Sequence, residues 1–234
     1  MRYIFFIFCL VVNLSYLYAF KSDSDLKAPV YSTLENSVWA DSVLMTMSLD
    51  QKIGQLFMVA ANGNGLGDHY YNSIDSLILN YHIGGVIFFQ SEPEELKLLL
   101  KRYNNLSDLP LLAGLDAEWG AAMRIDSMQT FPWMMSLGAI QENDLIYEFG
   151  EAVARQLKDL GVHINFAPVI DINNNPLNPI IDRRSFGSSR ELVASKGLAY
   201  MSALQDNNIL ACAKHFPGHG DTDTDSHKSL PVIY

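Results

Sequence analysis

"VHINFAPVIDI", residues 162–172, is an apolar run set between Gly161 and the polar stretch Asn173–Asn175, and it carries Asn165 and Asp171. It reads as a strand. Its neighbours in the sequence decide what kind of sheet it joins. "PLLAGLD" (110–116) ends on Asp116, and "ILACAK" (209–214) ends on Lys214 with His215 next. Polar side chains therefore collect where several strands end. That layout is expected of a (β/α)₈ barrel, whose chemistry is supplied by many strand ends at one face. A doubly wound sheet instead concentrates its site at one switch point, behind a glycine-rich first turn. "NGNGLGDH" (62–69) is glycine-rich, but Gly63, Gly65 and Gly67 lack the dinucleotide-binding spacing. It reads as a flexible loop.

The remaining elements support the barrel. Ser48 and Gln51 form a capping box, and "GQLFMVA" (54–60) follows as a first strand. "GGVIFF" (84–89) is a short continuous apolar run, the mark of a strand covered on both faces. Ser91 and Glu94 cap a predicted helix whose apolar residues include Leu96, Leu99, Leu100 and Tyr103. Residues 142–160 repeat Leu145, Ile146, Phe149, Ala152, Val153, Leu157 and Leu160 at helical spacing, with Gly161 as a stop. Ser188 and Glu191 open another helix, running to about Gln205. Strands alternating with helices mean a parallel sheet. The expected class is α/β, the N-terminal part of a (β/α)₈ TIM barrel with about five of its eight strands present.

Of the 234 residues, 49% are hydrophobic and 18% charged, a globular composition with ample material for a core. The net charge of −10, without a basic stripe, argues against nucleic acid and against anionic membrane surfaces. A neutral ligand of modest size fits better. Arg2 followed by an uncharged apolar run to Phe20 reads as a signal peptide over residues 1–19, so the protein is expected to be exported and free of the membrane after cleavage; the alternative, an uncleaved membrane anchor, is weakened by Asn13 and Ser15 within the run. Residues 20–44 read as a linker and leading helix, and residues 45–234 as the barrel segment. Cys9 lies within the leader. Cys212, in an apolar run, is left without an intrachain partner and reads as a small buried hydrophobe.

"KHFPGHGDTDTDSHKSLP" (214–231) concentrates histidines and aspartates. His215 and His219 have the spacing of zinc ligands on a helix, but Pro217 and Gly218 between them break that helix. Asp221, Asp223 and Asp225 resemble the start of a calcium loop, yet Ser226 stands where the loop needs glycine and Val232 where it needs glutamate. No metal site is expected. Asp225 and His227, two residues apart, share a face in extended backbone. A carboxylate there fixes the imidazole tautomer and favours its protonated form, making His227 a candidate proton donor. Lys214 and His215, leaving a buried strand, could hold a polar ligand. A solvated, turn-rich loop has the same composition, and composition alone does not separate the two readings.

Lys214-His-Phe-Pro-Gly-His-Gly followed by Asp225-Ser-His227 resembles glycoside hydrolase family 3, in its single-barrel β-N-acetylglucosaminidase branch. "DAEWGAAMR" (116–124), "NFAPVIDINNNPLNPIIDRRSFGS" (165–188) and "SLDQKIGQLF" (48–57) resemble further segments of that family, in order. The resemblance implies an enzyme that removes terminal β-linked N-acetylglucosamine from peptidoglycan fragments or chitooligosaccharides with retention; the expectation of a bacterial periplasmic or extracellular location rests on the leader alone. It implies sugar binding by Asp116, Arg124, Arg184, Lys214 and His215, and an acid/base dyad of His227 with Asp225. No metal or organic cofactor is implied; the partner is a small carbohydrate, and a further C-terminal domain is possible. Trp119 departs from the glycine that many members carry. Asp171 reads as structural beside the asparagine turn, and Glu118 as an orienting neighbour. Retaining glycosidases need a second carboxylate as nucleophile. No aspartate here matches that motif, so it is expected beyond Tyr234, and this segment alone is expected to be inactive. The alternatives are a sugar-binding module without a nucleophile, a β-glucosidase of the same family, and a calcium-binding loop protein.

Overall fold

The computed structural model describes residues 37–233, so the expected signal peptide and most of the linker lie outside the described residues. Five strands form one sheet: β1 Met58–Ala61, β2 Gly85–Phe88, β3 Leu112–Leu115, β4 Ile164–Asn165 and β5 Leu210–Ala211. Each lies parallel to the one before it, in the order β1-β2-β3-β4-β5. In a doubly wound sheet the strand order reverses at a switch point, and here it runs on without reversal. It is the N-terminal part of a (β/α)₈ barrel. The register is level. Ala61, Phe88, Leu115, Asn165 and Ala211 form one row across the sheet, so the residues that follow them leave from a common rim.

The described helices are α1 Val38–Thr46, α2 Leu49–Gly54, α3 Asp68–Tyr81, α4 Pro93–Leu106, α5 Met134–Gly138, α6 Asn143–Leu160 and α7 Arg190–Asp206. Helices α3, α4, α6 and α7 belong to the crossovers between successive strands. Their buried faces follow the periodicity. In α4 these are Leu96, Leu99, Leu100 and Tyr103; in α6, Ile146, Phe149, Val153, Leu157 and Leu160 are among them. Each such side chain stabilises the fold by about 1.5–3 kcal/mol. Gly161 ends α6 at φ 77°, a left-handed cap that glycine adopts without strain. The capping box at Ser48 forms as the sequence suggests.

Four boundaries differ from expectation. Gly54 belongs to α2, and backbone bonds from Leu56 to Ile53 and from Phe57 to Gly54 wind the chain until β1 can start at Met58. Ser91 does not cap α4. It is buried in a bridge with Ile125, its hydroxyl donates to the Glu92 carbonyl, and Glu92 with Pro93 opens the helix. The cap of α7 is Ser189, which accepts from the Leu192 N–H, rather than Ser188. Strand β4 pairs only at Ile164 and Asn165, because Pro168 has no N–H to donate; the chain rejoins β5's extension at a bridge between Val169 and Lys214. The motif reading assigns nothing to α3, whose Tyr71, Ile74 and Ile78 nonetheless bury one face.

Candidate active site

Strand β3 ends at Leu115 and sends out Asp116, Ala117 and Glu118. Asn165, from β4, clamps the middle residue. Its side-chain oxygen accepts from the Ala117 N–H at 3.0 Å, and its amide donates to the Ala117 carbonyl at 3.2 Å. The Tyr200 hydroxyl donates to the same carbonyl at 2.9 Å. All three residues are fully buried, so the flanking carboxylates are carried on a rigid turn.

Three cations meet those carboxylates. Lys214 Nζ lies 2.8 Å from an oxygen of Asp116 and 2.8 Å from one of Glu118. Arg124 donates to the other Asp116 oxygen at 2.8 Å. Arg184 grips Glu118 with two bonds, of 2.9 and 2.7 Å. The Glu118 side chain has no exposure, while Lys214 retains 14% and Arg184 20%. Burial alone would raise the Asp116 carboxyl, but Lys214 and Arg124 outweigh it and hold it below its ordinary value. Burial likewise opposes ionisation of Glu118, and Arg184 and Lys214 overcome it.

His215 is held from behind. Its Nδ1 lies 2.6 Å from Asp171, and its backbone N–H donates to the same oxygen at 3.1 Å. The other Asp171 oxygen accepts from the His219 N–H at 2.6 Å. Burial pushes the Asp171 carboxyl up, but the bonds from His215 and His219 bring it below the ordinary range. An ionised Asp171 places the imidazole proton on Nδ1. Nε2 faces the Arg184 guanidinium at 3.4 Å. Asp171 is thus more than a brace for the asparagine turn: it orients a site histidine.

The loop that follows is anchored and then released. Asn178 donates to the His219 carbonyl at 2.7 Å, and the Thr222 hydroxyl sits 2.7 Å from His219 Nδ1. His219 and Thr222 are both buried. After Thr222 the chain runs over the surface. Asp225 and His227 do meet, with Nδ1 2.8 Å from the carboxylate. They do so in a turn and not in extended backbone: the same Asp225 oxygen accepts the His227 N–H, and the Lys228 N–H returns to the Asp225 carbonyl. Two bonds from His227, the backbone one the larger influence, lower the Asp225 pKa. The His227 side chain is 79% exposed, and its Nε2 is the nitrogen left to meet a ligand.

One pocket of about 760 Å³ collects these groups. Asp116, Arg124, Arg184, Lys214, His215 and His227 all line it, so the residues singled out in the sequence come together, with Asp225 behind His227. The sequence reading gives Glu118 only an orienting place, yet it is the carboxylate shared by Arg184 and Lys214. Its signal was the two-residue step from Asp116, which puts both side chains on one side of an extended segment. Alternating acids and bases of this kind offer many directional donors and acceptors to a hydroxyl-rich ligand, and His227 offers a proton.

The family model described as the glycosyl hydrolase family 3 N-terminal domain matches residues 48–234. Beta-hexosaminidase A of Pseudoalteromonas piscicida is 37% identical over 173 residues, covering 68% of this chain and 29% of that protein. The structure of a family 3 β-N-acetylglucosaminidase from Paenibacillus sp. superposes with a TM-score of 0.73 at 39% identity, over 80% of this chain and 36% of that one. A β-glucoside phosphorylase, BglX, superposes with a TM-score of 0.78 at 25% identity, over 88% and 36% of the two chains. The chain therefore spans about a third of the length of these relatives.

Proposed function

The chain belongs to glycosyl hydrolase family 3, and from that premise we propose that it forms the sugar-binding and proton-donating part of a retaining β-N-acetylglucosaminidase. The convergence of Asp116, Arg124, Arg184, Lys214 and His215 in one pocket carries the reading. Sugar hydroxyls need several fixed partners at once, and these five groups come from different strand ends. His227 at the rim would protonate the leaving oxygen while a carboxylate attacks the anomeric carbon. It would then take a proton from water as the glycosyl ester is hydrolysed. Asp225 supports this by holding Nδ1 of His227 and leaving Nε2 free to face the leaving oxygen. The attacking carboxylate is not one of those described above. Asp116 and Glu118 are each held by two cations, and Asp171 by His215 and His219. We assign that carboxylate to a later strand end of the barrel. Substrates would be peptidoglycan fragments or chitooligosaccharides, met outside the cytoplasm if residues 1–19 act as a leader.

The full-length protein should hydrolyse a chromogenic β-N-acetylglucosaminide with a higher kcat/KM than the matching β-glucoside. No turnover of either would remove the reading. Preference for the glucoside would favour β-glucoside chemistry, the second reading that the BglX-like superposition supports.

A further inference from the structure

Beside the charged floor, the pocket has an aromatic wall. Trp119, from the turn after β3, packs on Trp133, the residue before α5, with ring centroids 4.0 Å apart. The Arg183 guanidinium lies over the Trp133 ring at 4.0 Å. All three line the pocket. They are the sequence neighbours of the floor's own pair: Trp119 follows Glu118, and Arg183 precedes Arg184. Glu118 and Arg184 join at the floor. Trp119 and Trp133 are half-buried and Arg183 is exposed, so their cluster lies nearer the mouth.

The charges of the two layers differ. Lys214, Arg124 and Arg184 each already face a carboxylate. Arg183 faces an indole, and among the described residues no carboxylate, the adjacent Asp182 included, pairs with it. The indole face holds the guanidinium in place without neutralising it. A guanidinium fixed on an aromatic plate presents its fork to a planar anion.

We propose that Trp119, Trp133 and Arg183 form a leaving-group subsite that selects substrates bearing a carboxylate on the unit released. This rests on the glycosidase reading: if a terminal sugar occupies the floor, the departing unit lies toward the mouth, past His227 and against this wall. Arg183 is then a specificity-determining residue, distinct from the groups that hold the terminal sugar.

The test uses the full-length protein and two disaccharides with the same leaving aminosugar. In one the sugar carries a free carboxylate on an ether arm; in the other that carboxylate is a methyl amide. The two differ in charge far from the broken bond. The free acid should show a kcat/KM about tenfold higher, the size of one charge-assisted hydrogen bond. Arg183→Gln should bring the ratio to near one, and Trp133→Ala should reduce it, because the guanidinium loses its plate. Added salt should lower the ratio in the wild type. Equal rates on the two substrates in the wild type, or a ratio unchanged in Arg183→Gln, would overturn the subsite. Failure of the glycosidase reading looks different: neither disaccharide nor the chromogenic glycoside turns over. In that case calorimetric binding of the acid against the amide still decides the subsite, with equal affinities counting against it.

Discussion

At the scale of single residues, His227 and Glu118 do opposite kinds of work. His227 is exposed and, among the described residues, tied only to Asp225. Removing it should leave the fold untouched and weaken proton delivery. His227→Ala should therefore lower kcat by about 10²–10⁴ on substrates with poor leaving groups, and much less on activated aryl glycosides that leave unprotonated. Equal losses across leaving groups would count against the proton-donor role. Glu118 is buried between two cations, and Glu118→Gln keeps its shape while stranding Arg184 and half of Lys214's pairing. Breaking a buried pair costs about 3–5 kcal/mol, and the residual exposure of both cations places this case near the lower end. A fall in the urea midpoint of the variant measures it. The pH dependence follows from the same charges. Asp116, Glu118 and Asp171 all have folded-state pKa values below their ordinary ones. The unfolded chain therefore binds protons first, at about pH 4. The stabilisation is complete above that pH and is lost as pH falls through the lowered folded values. Urea midpoints should be flat from neutrality to about pH 5 and drop below about pH 4, less steeply in Glu118→Gln.

At the scale of elements, the site depends on Asn165, the last paired residue of β4. Its side chain replaces the strand pairing that stops there, bonding both sides of the Ala117 peptide. Asn165→Ala leaves a buried N–H without that partner, at a cost of about 1–3 kcal/mol. The Asp116–Glu118 turn should loosen with it, raising KM more than the stability loss alone explains. Gly138 in α5 is another point of no tolerance: a β-carbon there would overlap the Phe186 carbonyl oxygen. Gly138→Ala should push α5 away from the chain after Arg184 and disturb Trp133 at its start. The barrel order and the pocket residues were legible because they rest on local signals. Apolar runs mark strands, and the polar residues after them mark the rim. The caps of α4 and α7 each lie one residue beyond the serine the spacing suggests; at α4 this is because Ser91 is claimed by a bridge to Ile125 thirty-four residues away. Helix α3 escapes a motif reading because only Tyr71, Ile74 and Ile78 bury its face amid polar residues. The oriented His215 was not legible either. Asp171 reaches it across forty-four residues, and no spacing rule connects the two.

At the scale of the whole molecule, the sheet has, among the described residues, two unpaired margins, at β1 and at β5. Both are flanked by apolar surface. Beside β1, Leu56 is 84% and Phe57 58% exposed, with Ile53 next to them. Beside β5, a groove of about 380 Å³ is lined by Pro168, Ile170, Ile172, Val193, Leu198 and Met201, among others. Unpaired strand margins next to apolar patches invite association with other chains. In a closed barrel, later strands and helices cover both margins at once. Residues 37–233 expressed alone should therefore bind a hydrophobic dye strongly, associate as concentration rises, and melt over a broad range. Replacing Leu56 and Phe57 by polar residues should reduce the association without restoring a sharp melt, because the β5 margin stays open. A monomeric fragment with a sharp, cooperative transition would show that the five-stranded segment closes its own margins, and the assignment of the missing carboxylate to a later strand of the same barrel would lose its structural support.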